Sequence, residues 1–224
     1  MTALTPTAAW QEMLEGNQRF VSGDPRHPNQ DVGRRHDLAS EQNPMATLFG
    51  CSDSRLAAEI IFDKGLGDLF VVRNAGQVLG ESIVASLEYA VGILNVPLIV
   101  VLAHDSCGAV GAAIAGTPID AEPLPANIWK LIAPIVPAAR KVLAASGGGS
   151  VTDIDAEQVG AEHLRNTVRD LLQSSEMIAS AVEEGRLGIV GANYRLSEGT
   201  AVPVITVGID TGIEGVPATQ EGSK

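Results

Sequence analysis

The chain has 224 residues, of which 45% are hydrophobic and only 4% aromatic, and its formal net charge is −12 at pH 7. This length and composition are typical of one globular domain with an aliphatic core. The acidic balance disfavours nucleic acid and anionic membrane surfaces as partners, because both would repel the protein, so we expect neither.

The cysteine count and the apolar segments bear on the cellular location. The chain has two cysteines, Cys51 and Cys107, too few for a disulfide-stapled secreted scaffold. The N-terminal segment lacks a basic start followed by an apolar run, so we expect no signal peptide. Polar residues, among them Glu88 and His104, interrupt the most apolar stretch at 83–115, which therefore predicts no membrane span. We expect a cytoplasmic protein.

The first predicted element is an amphipathic helix, because Trp10, Met13, Leu14 and Asn17 fall at helical spacing. We expect Trp10 to be a packing anchor. Residues 22–43 are polar and contain Pro25 and Pro28, so they are predicted to form a loop or an extended arm. The histidines of this arm, at positions 27 and 36, are expected to be solvated.

Apolar runs with little alternation then predict four strands buried on both faces, as in a parallel sheet covered by helices. They lie at 46–50, 69–73, 97–103 and 187–191. Residues at helical spacing between the second and third runs predict a strand–helix–strand unit. A last run, 201–207, follows a turn-like segment at 197–199 and is predicted to pair antiparallel at the sheet edge, where Pro203 is tolerated.

The remaining segments are predicted helices and a tail. One helical segment is expected near 129–143, and one longer helix at 156–184, with His163 at the surface or at an interface. The sequence thus predicts a single α/β domain over 1–224. It combines a helix and arm (1–43), a core (44–210) and a loose tail (211–224). Its central sheet is mostly parallel, with about four parallel strands and a C-terminal antiparallel edge strand, flanked by helices.

Two polar clusters follow two of the predicted strands. They read Cys51-Ser52-Asp53-Ser54-Arg55, after 46–50, and His104-Asp105-Ser106-Cys107-Gly108, after 97–103. Functional sites of open α/β sheets assemble at the carboxyl ends of the strands, where both clusters lie. Thiolate and imidazole ligands suit Zn²⁺, and three protein ligands leave a fourth position for water. The clusters therefore predict a zinc site on Cys51, His104 and Cys107.

Asp53 has two possible roles at such a site. It can take the fourth metal position and close the site, or Arg55 can draw it away through two hydrogen bonds. Once freed, the carboxylate can accept a hydrogen bond from metal-bound water and orient it. The N–H of Gly108, at a helix start, could face an anionic substrate, or Gly108 could be a simple turn glycine.

Two other interpretations of the cysteines remain open. They could form a redox thiol pair, or they could be inert buried thiols that behave as small hydrophobic residues. The polar flanks of both cysteines fit a core position poorly and favour the metal site.

The two clusters carry the Cys-x-Asp-x-Arg and His-x-x-Cys motifs unbroken, and in this the chain resembles the β-class carbonic anhydrases. The resemblance is strongest over 45–115 and extends to 17–20 and 187–199. It implies reversible hydration of carbon dioxide to bicarbonate, with one Zn²⁺ per subunit on Cys51, His104 and Cys107. It also implies that Asp53 and Arg55 form the catalytic pair, and that the chain forms a dimer or a tetramer whose N-terminal helix embraces the neighbouring subunit.

One feature of the family is not matched. Some members hold a regulatory bicarbonate with a Trp, an Arg and a Tyr; Arg73 and Tyr194 match two of these places, but Leu48 stands at the third. The resemblance also leaves two alternatives: a carbon disulfide or carbonyl sulfide hydrolase on the same scaffold, and a zinc-stabilised regulatory or interaction protein with Asp53 permanently on the metal.

Overall fold

A five-stranded sheet forms the centre of the protein. The structure is a computed structural model that describes residues 4–147 and 150–209, so the predicted tail at 211–224 lies outside the described residues. The strands are β1 (Ala46–Cys51), β2 (Leu69–Asn74), β3 (Leu98–His104), β4 (Gly188–Arg195) and β5 (Thr200–Val207). Their order is β2-β1-β3-β4-β5; the first four are parallel and β5 is antiparallel to β4. This confirms the predicted fold class, with Pro203 on an edge strand. β2 is the other edge strand and is mostly half-buried in the single chain, so the prediction that the run at 69–73 is buried on both faces is wrong.

Helices cover both faces of the sheet. They are α1 (Pro6–Ser22), α2 (Val32–Asp37), α3 (Ala58–Ile61), α4 (Glu81–Gly92), α5 (Gly108–Ala115), α6 (Ala126–Ile132), α7 (Val136–Ala145), α8 (Ala156–Ser174) and α9 (Glu176–Glu183). Alternate residues of β3 point to opposite faces. Leu98, Val100 and Leu102 join one apolar cluster with α1, α3, α5 and α7, whereas Ile99 and Val101 join another with α4, α8 and α9. Two hydrophobic layers therefore hold β3, which carries His104, rigidly in the middle of the molecule.

The N-terminal helix packs on its own chain. The Thr5 hydroxyl accepts a hydrogen bond from the Ala8 N–H at 3.2 Å and caps α1. Trp10 and Met13 are buried in the core, so Trp10 is a packing anchor as predicted. Since this face of α1 is covered by its own sheet, contact with a second subunit would have to use the helix's other faces.

The Asn17 side chain connects α1 by hydrogen bonds to two segments that are distant in sequence. Its side-chain amide donates to the Ile61 carbonyl at 3.0 Å and to the Gly199 carbonyl at 2.8 Å. Its oxygen accepts from the Ala201 N–H at 2.9 Å. One buried side chain therefore links α1 to α3 and to the turn between β4 and β5.

Three helical predictions need correction. Residues 22–43 are not entirely loop, because Asp31 caps the short helix α2, which buries no residue and so lacks an apolar pattern. A 3₁₀ turn at Ala133–Ile135 divides the helical segment predicted near 129–143. The helix predicted at 156–184 is two helices, because Ser175 leaves the helical conformation and its hydroxyl accepts from the Ile178 N–H as the cap of α9.

The described residues contain no helix with the length and apolar character needed to cross a membrane. The expected cytoplasmic location stays a prediction.

Candidate metal centre

The two polar clusters meet at the carboxyl edge of the sheet. Cys51 ends β1 and His104 ends β3, and these strands are parallel neighbours. Cys107 follows after a tight turn and precedes α5. The ligand atoms of Cys51, His104 and Cys107 all lie within 4.8 Å of one another, and the three residues are buried. The structure thus brings together the three side chains for which the sequence predicts metal binding.

The imidazole of His104 is oriented towards this cluster. Its Nδ1 lies 2.8 Å from the Asp105 carbonyl oxygen. Because a carbonyl only accepts, Nδ1 carries the proton and Nε2 presents a lone pair. Nε2 is buried, and it has no hydrogen-bond partner among the described residues. A buried imidazole nitrogen without a partner, beside two sulfur atoms, fits a metal ligand whose other nitrogen is fixed by the backbone.

The two thiols are electronically unequal. The pKa of Cys51 is lowered to about 4, chiefly by a hydrogen bond from the Cys107 thiol, which outweighs the opposing effect of burial. The pKa of Cys107 is raised far above its usual range, because its thiol donates this bond and is buried. The Gly76 N–H also donates to the Cys51 sulfur at 3.3 Å. The pair therefore holds a negative charge inside the protein, which suits a divalent cation.

Asp53 and Arg55 form a two-pronged ion pair at the entrance to this cluster. Arg55 Nε lies 2.9 Å from Asp53 Oδ1 and Nη2 lies 2.7 Å from Oδ2, while the Arg55 N–H also donates to Oδ1 at 2.9 Å. The Arg55 guanidinium holds the pKa of the Asp53 carboxyl well below its usual range. Asp53 Oδ2 lies 3.9 Å from His104 Nε2. In this arrangement the carboxylate stands beside the ligand atoms, paired with arginine.

A family model described as carbonic anhydrase matches residues 46–201, which include both clusters. The chain belongs to the carbonic anhydrase family. It is 48% identical over 206 residues to "Carbonic anhydrase 2" of Mycobacterium tuberculosis, across 90% of this chain and 94% of that protein. It is 44% identical over 198 residues to the carbonic anhydrase of Mycolicibacterium smegmatis, across 87% and 91%. The chain is thus an enzyme of the carbonate dehydratase class, a lyase.

Solved β-carbonic anhydrases share the fold. The β-carbonic anhydrase CcaA superposes with a TM-score of 0.67 at 26% identity, over 87% of this chain and 94% of that one. A β-carbonic anhydrase described as tetrameric, from Sordaria macrospora, gives a TM-score of 0.66 at 21% identity, over 87% and 95%. The resemblance to β-class carbonic anhydrases that the motifs indicate is confirmed.

Arg73 donates hydrogen bonds to the backbone next to the candidate metal ligands. Its Nε donates to the Cys51 carbonyl at 3.1 Å and its Nη2 donates to the Asp53 carbonyl at 2.7 Å. The side chain therefore braces the segment that carries a metal-ligand candidate and the Asp53–Arg55 pair. Leu48 and Tyr194 are both buried and belong to the same apolar cluster.

Gly108 opens α5 directly after Cys107. A Cβ added there would meet no atom within 4 Å, so close packing within the chain does not explain the glycine. Its contact with an anionic substrate stays a prediction.

His163 is misplaced by the sequence prediction. It is not at the surface: the side chain is buried, and its Nε2 lies 2.8 Å from the Gly76 carbonyl oxygen. The apolar spacing of α8 contains a signal for this, because Val159 and Thr167, four residues before and after, are also buried. Sequence reasoning also missed Gly76 as a partner of the Cys51 sulfur, since a backbone N–H leaves no trace in residue types.

Proposed function

We propose that the chain is a zinc-dependent carbonic anhydrase that interconverts carbon dioxide and bicarbonate, with one Zn²⁺ per subunit on Cys51, His104 and Cys107. Two observations carry the proposal: His104 Nε2 is buried and has no hydrogen-bond partner in the described part of the chain, and the ligand atoms of Cys51, His104 and Cys107 lie within 4.8 Å of one another. Membership of the carbonic anhydrase family supports the same reaction.

The ligand set has a consequence for the pH range of activity. When bound, Zn²⁺ supplies the Lewis acidity that makes water a nucleophile near neutral pH. Cys51 and Cys107 would hold the ion as thiolates, which donate more negative charge than neutral imidazoles do. We therefore expect activity to rise into the alkaline range.

Asp53 positions the attacking water. Arg55 keeps the carboxylate ionised, because it holds the Asp53 pKa low, and it occupies both carboxylate oxygens through a rigid fork. A carboxylate oxygen has further lone pairs, so Oδ2 can accept a hydrogen bond from water at the ligand cluster and fix its orientation. The Gly108 N–H, at the start of α5, would donate a hydrogen bond to the product anion. In a closed state Asp53 would itself be the fourth ligand, for which Arg55 would have to release it.

The ion pair favours a catalytic centre over a purely structural one. A structural zinc site uses all four positions, and its fourth ligand needs no arginine to hold it away. The two-pronged contact between Arg55 and Asp53 is the arrangement that leaves a position open.

We also propose that the subunits associate into dimers or tetramers. Large apolar side chains are exposed on the single chain, among them Ile60, Ile93 and Ile119, and contact between subunits would remove such side chains from water. Sedimentation of the zinc-loaded protein should give twice or four times the mass of one chain, and a monomer at micromolar concentration would contradict this.

The decisive experiment combines an assay with elemental analysis. The zinc-loaded protein is expected to hydrate carbon dioxide in a stopped-flow pH assay and to contain one Zn²⁺ per chain. Cys107→Ala removes a ligand sulfur and should lose both the metal and the activity. Ser52→Ala is the matched control, because Ser52 adjoins Cys51 but is exposed. Full zinc occupancy in the Cys107 variant, or a zinc-loaded protein that does not hydrate carbon dioxide, would refute the proposal.

A further inference from the structure

We propose that His163 is a positioning residue of the metal centre: from α8 it holds the Gly76 carbonyl and thereby aims the Gly76 N–H at the Cys51 sulfur. The inference rests on the proposed metal site, and it concerns a residue that contacts neither metal ligands nor substrate.

Two successive hydrogen bonds carry the inference. His163 Nε2 lies 2.8 Å from the Gly76 carbonyl oxygen, and the Gly76 N–H lies 3.3 Å from Cys51 Sγ. His163 is 87 residues from Gly76 in sequence and Gly76 is 25 residues from Cys51. Both contacts are buried. The path therefore joins α8 to the end of β1 through a single residue of the turn after β2.

The chemistry of the first contact defines the state of the imidazole. A carbonyl oxygen only accepts, so Nε2 must carry the proton and donate it. Burial lowers the pKa of His163, so the ring is neutral. His163 thus acts as a fixed hydrogen-bond donor to the turn.

Gly76 transmits this contact because of its backbone conformation. Its φ is +80°, and a Cβ added there would lie 2.8 Å from the Ala109 Cβ and 3.0 Å from the Ile135 Cδ1. A glycine in this region rotates easily when nothing restrains it. On one side the turn is tied by Asn74, whose side chain exchanges two hydrogen bonds with Val78 at 2.7 and 2.9 Å. Within the described part of the chain, His163 is the donor that holds the Gly76 carbonyl.

The second contact matters for the metal. An N–H donated to a ligand thiolate withdraws electron density from the sulfur and fixes its direction, and such outer partners tune metal affinity. Without His163, the buried Gly76 carbonyl would lack a partner and the residue would turn to find one. The Gly76 N–H would then leave the Cys51 sulfur.

Cobalt substitution tests this directly, because Co²⁺ in a thiolate site gives a sulfur-to-metal charge-transfer band that zinc does not. Three variants of the full chain are compared with the unmodified protein. His163→Leu removes the donor, His163→Gln restores an N–H at the position of Nε2, and Thr167→Val is the matched control. Thr167 is buried on the same helix, and within the described residues its hydroxyl bonds only to the His163 backbone carbonyl, at 3.0 Å.

The expected result separates a positioning role from a merely structural one. His163→Leu should bind Zn²⁺ about 10- to 100-fold more weakly in competition with a chromophoric chelator. Its Co²⁺ band should move to longer wavelength, because a thiolate that has lost a donor gives up its electron more easily. His163→Gln should restore both readouts, and Thr167→Val should leave both unchanged even where it lowers stability. Should the Leu variant not fold, His163→Met, flexible and without a donor, replaces it.

Two results would overturn the inference. In the first, His163→Leu or His163→Met has the same Co²⁺ band position and the same Zn²⁺ affinity as Thr167→Val. In the second, the band position and affinity of His163→Gln lie no closer to those of the unmodified protein than the values of His163→Leu do. If the unmodified protein itself gives no thiolate–Co²⁺ band, the proposed metal site fails, and the inference fails with it.

Discussion

At the scale of single residues, Asp53 carries the most specific prediction. Asp53→Ala should lower kcat/KM for carbon dioxide hydration by about 100- to 10,000-fold, the range for a group that orients or accepts a proton. The zinc content should stay near one per chain, because Cys51, His104 and Cys107 are untouched. Stopped-flow hydration rates and elemental analysis on the same samples give both numbers.

Asp105→Asn is the control that removes a neighbouring charge without removing the orienting group. The Asp105 Oδ1 accepts from the Leu196 N–H at 3.2 Å, and an asparagine oxygen accepts equally well. If Asp105→Asn is as inactive as Asp53→Ala, general electrostatics explains the loss and the specific role of Asp53 is wrong.

The sequence predicts the residues of the ligand cluster but not the groups that hydrogen-bond around it. Cys51, Asp53 and His104 are recognisable because their residue types are rare together and because each follows an apolar run that ends a strand. The Gly76 N–H and the His163 ring act through tertiary contacts across 25 and 87 residues. Contacts of that kind depend on packing angles between elements, which composition and spacing do not encode.

At the scale of elements, strands are predicted more accurately than helices. The runs at 46–50 and 69–73 correspond to β1 and β2 to within one residue. β1 is buried along its whole length, as a continuous apolar run predicts, whereas β2 is an apolar edge strand that is mostly half-buried. β4 extends past the predicted 187–191 to Arg195. Its last residues, Asn193 to Arg195, are polar and so do not continue the apolar run, and Tyr194 pairs with His104 in the sheet. The apolar spacing of α8 continues past Ser175 into α9, so the pattern does not show where α8 ends, and the only signal is the serine that caps α9.

Asn17 provides a test of how α1 is attached. Asn17→Ala removes three hydrogen bonds, two of them buried and one partly buried, and so takes this partner from two carbonyls and one N–H. We expect the free energy of unfolding to fall by about 2–4 kcal/mol, since each such loss costs on the order of 1 kcal/mol. Urea unfolding of the zinc-loaded protein at fixed protein concentration measures it.

Gln11→Ala is the matched control on the same helix. Its side chain is exposed and, among the residues that the structure describes, bonds only to Glu15, at 3.2 Å. The substitution should change the unfolding free energy by less than about 0.5 kcal/mol. Equal losses in the two variants would show that helix propensity, and not the Asn17 contacts, governs the attachment of α1.

At the scale of the whole molecule, burying His163 links folding to pH. Burial, the largest effect, lowers the His163 pKa below its ordinary value of 6.5, against smaller opposing influences of the hydrogen bond with Gly76 and of the Asp170 charge. Between the folded and unfolded pKa values, the unfolded chain binds more protons, so stability rises with pH. The contribution is therefore complete above the unfolded pKa and is lost progressively as the pH falls below about 6.5.

His163→Gln isolates this contribution, because glutamine keeps the donor to Gly76 and has no proton to gain. Below pH 6.5 the unfolding free energy of the unmodified protein should fall relative to that of the variant by up to about 1.4 kcal/mol per pH unit. Protonation of the cysteine thiolates affects both proteins and cancels in the difference, provided that both are saturated with zinc. Urea unfolding from pH 8 to pH 5 measures the two curves. Parallel curves throughout would mean that His163 takes up a proton in the folded protein as readily as in the unfolded chain. A protonated ring still donates to a carbonyl, so that result would refute the neutral state of His163 and leave its contact with Gly76 standing.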